Sequence, residues 1–447
     1  MSRRPVPSEA ETGAVAALNS DGEGVVRDGK TAFVAGALPG ETVRFQRYAA
    51  HKGYDEARLL EVLQPSPDRV NPQCAHFGVC GGCALQHLAH DAQVAAKDRE
   101  LRDALERVGN VQPAAWLAPL RGPVWGYRRR ARLGARYVTA KGRSLVGFRE
   151  RTSSFVADID RCEVLVPKVG AMLPALSALA SRLSIRMRLP QIEVAAADNQ
   201  TALVLRTLSP PDADDRALLA AFEREQSVRI YLQAGSPNAL ETLDGRHEPL
   251  WYELPDFDVR LTFLPSDFVQ VNGEMNRLLI ARVVALLDLD ASSKVLDLFC
   301  GLGNFTLPIA RRAGEVVGIE GEAGLVQRAR DNAAANGLEN VQFHAANLAG
   351  DDAAAQCLRL AGTGGRYSHV LLDPPRTGAR DVLGAVAALA PRRVVYVSCH
   401  PGSLARDLAI LVDDHGFRLQ AAGIVDMFPH TNHVESVAVL DGPGGKP

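Results

Sequence analysis

Val295 to Ala310 reads VLDLFCGLGNFTLPIA. A short apolar run meets Gly301-Leu302-Gly303, and a second apolar run begins at once. Strand, glycine-rich turn and helix start, in that order, open a ligand-binding unit of an α/β domain. The two glycines let the backbone pass close to a ligand, and Asp297 stands at the end of the strand. The same rhythm continues downstream. EVVGIEG, NVQFHAAN, SHVLLDPPR and RRVVYVSC alternate with Ala-rich amphipathic segments. Such alternation predicts a Rossmann-like α/β domain over residues 266–447, a parallel sheet with helices on both faces.

The carboxyl ends of those strands are where an open α/β sheet binds its ligand. A lone Gly-x-Gly is weak evidence, but the next strand ends in Glu320, about 20 residues on, where an acid binds ribose hydroxyls. Thr306 stands where a pyrophosphate-cradling turn would carry its third glycine. A nucleoside without phosphates fits better, and S-adenosylmethionine is such a ligand. The third strand ends at Asn347, either an adenine-reading amide or a simple turn residue. The fourth ends in Asp373-Pro374-Pro375-Arg376, where two prolines remove two donors and hold a rigid extended turn.

The fifth strand runs into VVYVSCHPGSLARD, which puts Cys399 at its open end. A free cysteine is ordinarily inert packing. Its position at a strand's carboxyl end, beside Asp373, favours chemistry instead. Carbon 5 of uracil is a poor nucleophile until a thiolate adds to carbon 6 and generates an enolate. A base must then remove the proton on carbon 5 so that the thiol can leave. Glu435, at the start of the last apolar strand, is the candidate; shielding from water would raise its pKa and suit that task.

At 447 residues the chain is long enough for about three domains. Its 47% hydrophobic and 23% charged residues are an ordinary globular composition. No run approaches the ~20 apolar residues of a membrane span. The start, MSRRPVPSEAETG, lacks the apolar core of a secretory signal, so a cytoplasmic protein is expected. A net charge of −2 does not announce a nucleic-acid partner, but Arg121 to Arg151 holds ten Lys/Arg against Glu150 alone. Trp125, Tyr127, Tyr137 and Phe148 lie among them. Clustered cations attract phosphates, and aromatic rings can stack on bases.

Residues 1–66 are punctuated by DG, EG and PG between β-branched runs, the pattern of a small all-β, OB-like barrel. A helix is expected from Asp91 to Val108, ended by Gly109-Asn110. Residues 67–265 read as an α+β central domain. Of the seven cysteines, Cys74, Cys80 and Cys83 are grouped and Cys162 follows later. Four thiolates at this spacing can hold zinc or an iron–sulfur cluster, and Gly81-Gly82 would let the backbone fold tightly around it.

LDLFCGLGNFTLPIA, LLDPPRTG, VYVSCHPGSLARDL and HVESVAVL together resemble the RNA uracil-C5 methyltransferase family over residues 265–440. The resemblance implies Cys399 as nucleophile and Glu435 as general base. It implies a cofactor site at Gln270, Phe299, Asn304, Glu320, Asn347 and Asp373, with Gln270 and Asp373 touching either S-adenosylmethionine or the target base. CGGCALQH resembles the [4Fe-4S] segment of the ribosomal RNA branch, with Cys74, Cys80, Cys83 and Cys162 as ligands. GEGVVRDGKTAFVAGALPGE resembles a TRAM domain, an RNA-binding barrel. TRNA-modifying members are expected to lack barrel and cluster cysteines. The combination therefore implies 23S ribosomal RNA, at uridine 1939, as partner of a monomeric enzyme. The alternatives are another tRNA or rRNA uridine, or an amino-group methyltransferase using the Asp-Pro-Pro-Arg turn.

Overall fold

The structure, a computed structural model, describes residues 9–234, 239–361 and 367–443. The first eight residues, part of the segment read for a secretory signal, lie outside them. Strands β1 (Glu11–Leu18), β2 (Gly24–Val26), β3 (Ala32–Ala35), β4 (Thr42–Ala50) and β5 (Asp55–Gln64) close into a barrel in the order β1-β2-β3-β5-β4. Along β4 alternate residues turn inward, so Val43 and Phe45 meet Val15, Val26 and Val34 in the barrel core. Closure leaves no sheet edge open.

Helix α1 (His90–Ala104) follows, loosens into a wider turn over Leu105–Gly109, and stops at Asn110 in the left-handed conformation. A short strand, β6 (Ala115–Trp116), comes next. The central sheet is built from β7 (Arg130–Val138), β8 (Arg143–Gly147), β9 (Gln191–Ala196), β10 (Thr201–Thr207), β11 (Arg229–Ala234) and β12 (Leu240–Thr242). Its order is β12-β11-β10-β9-β7-β8, and only β10 and β11 run parallel. Helices α2 (Pro167–Arg182) and α3 (Ala213–Gln226) supply Leu173, Leu176 and Leu219 to its core. A hairpin, β13 (Leu250–Leu254) and β14 (Val259–Phe263), leads to the last domain.

That domain alternates α4 (Gly273–Leu287), β15 (Lys294–Leu298), α5 (Thr306–Ala310), β16 (Glu315–Glu320), α6 (Ala323–Ala335), β17 (Val341–Ala345), α7 (Ala353–Ala361), β18 (His369–Leu372), α8 (Leu383–Ala388), β19 (Arg393–Ser398) and α9 (Pro401–Ala409). Strands β20 (Arg418–Val425) and β21 (Glu435–Asp441) complete it. The sheet order is β17-β16-β15-β18-β19-β21-β20-β6. The first five are parallel, as the alternation predicts, and β21 enters antiparallel between β19 and β20. The third strand stops at Ala345, two residues before the expected end at Asn347.

The sheet reaches back across the expected boundary at residue 265. Strand β6 pairs with β20, and Val94, Leu101 and Leu105 of the α1 region share one core with Leu372, Tyr396 and Leu408. The outer strand β20 would otherwise leave an open edge and an uncovered apolar face. Among the described residues no helix is long and apolar enough to cross a membrane.

Candidate active site

Strands β19 and β21 pair antiparallel with Ser398 opposite Ser436. The paired register ends there: Cys399 is the first residue past β19 and Glu435 the first of β21, close enough for Glu435 to raise the thiol. Because β21 runs backwards, its first residue lies at the sheet edge where the parallel strands end. His400-Pro401-Gly402 starts α9 here: the His400 Nδ1 accepts the Ser403 N–H at 3.1 Å as an N-cap, and Pro401 takes the first helical position. The turn carries the chain away from Cys399.

Electrostatics set these groups apart. Burial, reinforced by Glu435 and Asp373, pushes the Cys399 thiol up to about 11, with Arg376 pulling the other way. Glu435, 3% exposed, is raised well above the ordinary carboxylate range by burial and then by Asp373. Burial pushes Asp373 up to about 7. Three proton-binding groups in one water-poor corner are a setting for proton transfer.

Most of the residues expected to hold the cofactor end or follow β15, β16 and β17. Phe299 leaves β15 with φ of 65°, a strained value for a bulky residue, and Gly301 and Gly303 follow at 57° and 97°. The Gly301 N–H donates to Glu320 Oε2 at 3.1 Å and the Glu322 N–H to Oε1 at 3.0 Å, so Glu320 is aimed by two backbone donors. Asn347 is exposed and accepts the Ala349 N–H at 3.1 Å, the turn-residue arrangement. Asn304 is held by its neighbours: Tyr252 Oη and Asn276 Nδ2 donate to its Oδ1 at 2.8 and 2.9 Å, and it donates back to Asn276 Oδ1. Gln270 lines a cavity with Tyr252 and Asn276. Asp297 is fully buried, takes the Thr306 hydroxyl at 2.6 Å, and keeps its other oxygen unpartnered. Thr306 thus serves Asp297, a link its sequence position alone did not carry. Open glycine turn, aimed carboxylate and orphaned buried oxygen together fit a nucleoside ligand.

Cys74, Cys80, Cys83 and Cys162 all line one cavity, walled by Phe77, Phe148 and Ile159. The Gly82 N–H reaches the Cys80 Sγ at 3.5 Å, and the backbones of Val164 and Leu165 donate to Cys162. Burial, and the charge each sulfur would impose on the others, push Cys80 to about 11 and Cys83 to about 12, so joint ionisation calls for a cation in their midst. Among the described residues no three ligand side chains gather closely enough to hold a single metal ion. The paired glycines sit in close quarters: a Cβ on Gly81 would meet the Arg149 carbonyl at 3.0 Å, and one on Gly82 the Phe148 ring at 3.1 Å and the Cys80 Sγ at 3.5 Å.

Half of the basic stretch is paired internally. Arg121, Arg129, Arg132, Lys141 and Arg143 pair with Asp91, Asp198, Glu193 and Asp158. Two of its four aromatics are braces. Tyr127 is buried and donates to the Pro429 carbonyl at 2.9 Å, while Trp125 stacks on His430 at 3.9 Å. Both hold residues 428–433, one wall of the crevice that ends on Cys399. Gly82, Phe148 and Arg128 line the same crevice. Sequence reasoning had not joined the thiol to these residues; nothing local in either segment signals the other.

A sequence profile for tRNA (uracil-5-)-methyltransferase matches residues 90–442. The chain is 51% identical over 443 residues to the 23S rRNA (uracil(1939)-C(5))-methyltransferase RlmD of Alkalilimnicola ehrlichii, covering 98% of both. It is 50% identical over 428 residues to the protein of that name in Stenotrophomonas maltophilia, covering 95% of both. Its fold is similar to the Pyrococcus abyssi tRNA (uracil-54, C5)-methyltransferase in complex with S-adenosyl-L-homocysteine, with a TM-score of 0.74, 25% identity, and coverage of 96% of this chain and 100% of that one. Since a tRNA enzyme aligns over nearly the entire chain, the barrel-bearing layout does not by itself separate rRNA from tRNA members, contrary to expectation.

Proposed function

The chain belongs to the tRNA (uracil-5-)-methyltransferase family, and on that premise we propose that it methylates carbon 5 of uridine 1939 in 23S ribosomal RNA. Identity of about half over full length to enzymes of that name supports the ribosomal substrate, where architecture alone does not. The arrangement that carries the chemistry is Cys399 just past the end of β19 with Glu435 at the start of the neighbouring β21, near enough to act on the thiol.

Cys399 adds to carbon 6 of the uracil, which places electron density on carbon 5. S-adenosylmethionine, when bound, supplies the methyl group taken up there. Phe299, the Gly301–Gly303 turn, Asn304, Glu320 and Asn347 would hold it. Gln270 and Asp373 would touch either the cofactor or the base. Glu435 then takes the carbon 5 proton and the Cys399 thiolate is expelled, restoring the ring. Water exclusion makes Glu435 the stronger base once it is ionised. The target must leave its stack to reach Cys399, at a cost of a few kcal/mol.

Cys74, Cys80, Cys83 and Cys162 would hold a [4Fe-4S] cluster in a structural role, since methyl transfer moves no electron. Convergence on one cavity and N–H donors aimed at sulfur support this reading. A single tetrahedral zinc would need its sulfurs about 3.8 Å apart, given Zn–S of about 2.3 Å. The N-terminal barrel acts as a TRAM-type RNA-binding module, and the protein works as a cytoplasmic monomer.

The deciding experiment is incubation with RNA carrying 5-fluorouridine at the target. Wild type should form a covalent adduct that Cys399→Ala cannot form. Full methylation by Cys399→Ala would transfer the case to an amino-group methyltransferase. Visible charge-transfer absorbance with iron and sulfide in anaerobically purified protein is expected, and a colourless zinc protein would overturn the cluster.

A further inference from the structure

Two arginines from distant parts of the chain face the crevice that ends on Cys399. Arg128 comes from the basic stretch and Arg376 closes the Asp-Pro-Pro-Arg turn after β18. Phe148 and Phe428 share that lining, and no carboxylate does. Arg128 is firmly mounted. Its backbone N–H donates to the Val164 carbonyl at 2.8 Å and its carbonyl accepts the Val166 N–H at 3.1 Å. Its Nε donates to the Arg130 carbonyl at 3.0 Å, and its guanidinium carbon lies 5.4 Å from the Phe148 ring centre. Among the described residues neither Arg128 nor Arg376 forms an ion pair, whereas five cations of the basic stretch do.

Two cations without an ion-pair partner, lining one crevice, call for an anionic ligand. An extruded nucleotide hangs from its two phosphates, so the grip on those phosphates sets where its base falls. We propose that Arg128 and Arg376 form a two-sided clamp on the phosphates flanking the target uridine, which seats the uracil between Phe148 and Phe428 over Cys399. This deepens the uridine methylation reading and rests on it. The planar guanidinium can take two phosphate oxygens at once, which a lysine cannot.

The test uses the full-length protein and an rRNA fragment bearing the target. Arg128→Gln and Arg376→Gln should each raise KM roughly tenfold or more, the loss of a charge-assisted hydrogen bond. Each should flatten the plot of log affinity against log salt by about 0.7, the value for one phosphate contact on a single strand. Arg376→Lys should recover the salt slope but only part of KM. S-adenosylmethionine affinity by calorimetry should not move. Neutral methylphosphonate linkages beside the target should weaken wild type, and one of them should add nothing to Arg376→Gln.

Wild-type KM and salt slope in both glutamine variants would overturn the clamp. So would methylphosphonate losses that add in full to Arg376→Gln on both sides. If Arg128→Gln fails to fold, Arg376→Gln and the neutral linkages on wild type still decide. A wild-type 5-fluorouridine adduct alongside unchanged salt slopes sinks the clamp alone; no wild-type adduct sinks the function it rests on.

Discussion

Cys399 sits where its thiol is hard to ionise, and that has a kinetic consequence. Only the thiolate attacks, and a thiol raised to about 11 by burial, Glu435 and Asp373 is almost wholly protonated near neutrality. The rate of adduct formation should therefore climb with pH between about 6 and 9, approaching tenfold per unit. A flat profile would mean that the proton leaves by another route. Glu435→Gln keeps the shape of the corner but loses the base. It should lower kcat by roughly 100-fold or more while covalent enzyme–RNA adduct accumulates on a denaturing gel. Both residues were legible in the sequence as strand-end groups. Their proximity was not, because it depends on β21 running antiparallel to β19, a direction that period-two patterning does not encode.

The loop before β21 depends on α1. Lys97, 2% exposed, reaches the fully buried Asp426 at 2.7 Å and the Phe428 carbonyl at 2.8 Å, while His90 lies 2.7 Å from the other Asp426 oxygen. Gln93 exchanges hydrogen bonds with the His430 backbone and ring. Burial alone would raise Asp426, but His90 and Lys97 overrule it and hold the carboxyl below its usual value. Its contribution is then complete above the unfolded carboxylate pKa of about 3.9 and is lost as pH falls through the lower folded value. Lys97→Met leaves that carboxylate with His90 as its remaining cationic partner and should cost about 3 kcal/mol in denaturant unfolding. The glycine turn after β15 makes a similar case. Gly303 has φ of 97°, and a Cβ there would meet Leu307 at 3.1 Å. Gly303→Ala should cost on the order of 1–2 kcal/mol and weaken S-adenosylmethionine binding measured by calorimetry.

Across the chain, the cysteine cavity and the crevice are neighbours. Gly82 and Phe148 line both, so the loop carrying Cys80 and Cys83 also lines the crevice that holds Cys399. The Ala84 and Leu85 N–H groups donate to the His430 carbonyl at 2.9 and 3.0 Å, which ties that loop to the 428–433 wall. Cys83→Ser should abolish visible absorbance and speed proteolysis around residues 74–83, with S-adenosylmethionine affinity unchanged. Loss of that affinity instead would mean that the cysteine cavity supports the distant half of the sheet edge. The basic stretch teaches the opposite lesson from the cysteines. Its charge was plain in the sequence, but Asp91, Asp158, Glu193 and Asp198, which neutralise half of it, lie up to 69 positions away.

Local pattern was enough for the alternating elements, the glycine turn, the strand-end residues and the grouped cysteines. Each follows from periodicity or from the chemistry of a short segment. Pairing direction and long-range neighbours had to come from folding. That α1 braces the 426–433 loop, that Tyr127 and Trp125 pack inward, and that Arg128 and Arg376 line one crevice with Cys399 all follow from burying apolar faces contributed by segments hundreds of residues apart. The thiol's place at the end of a strand was written in the sequence; the walls that make it a site were assembled by the fold.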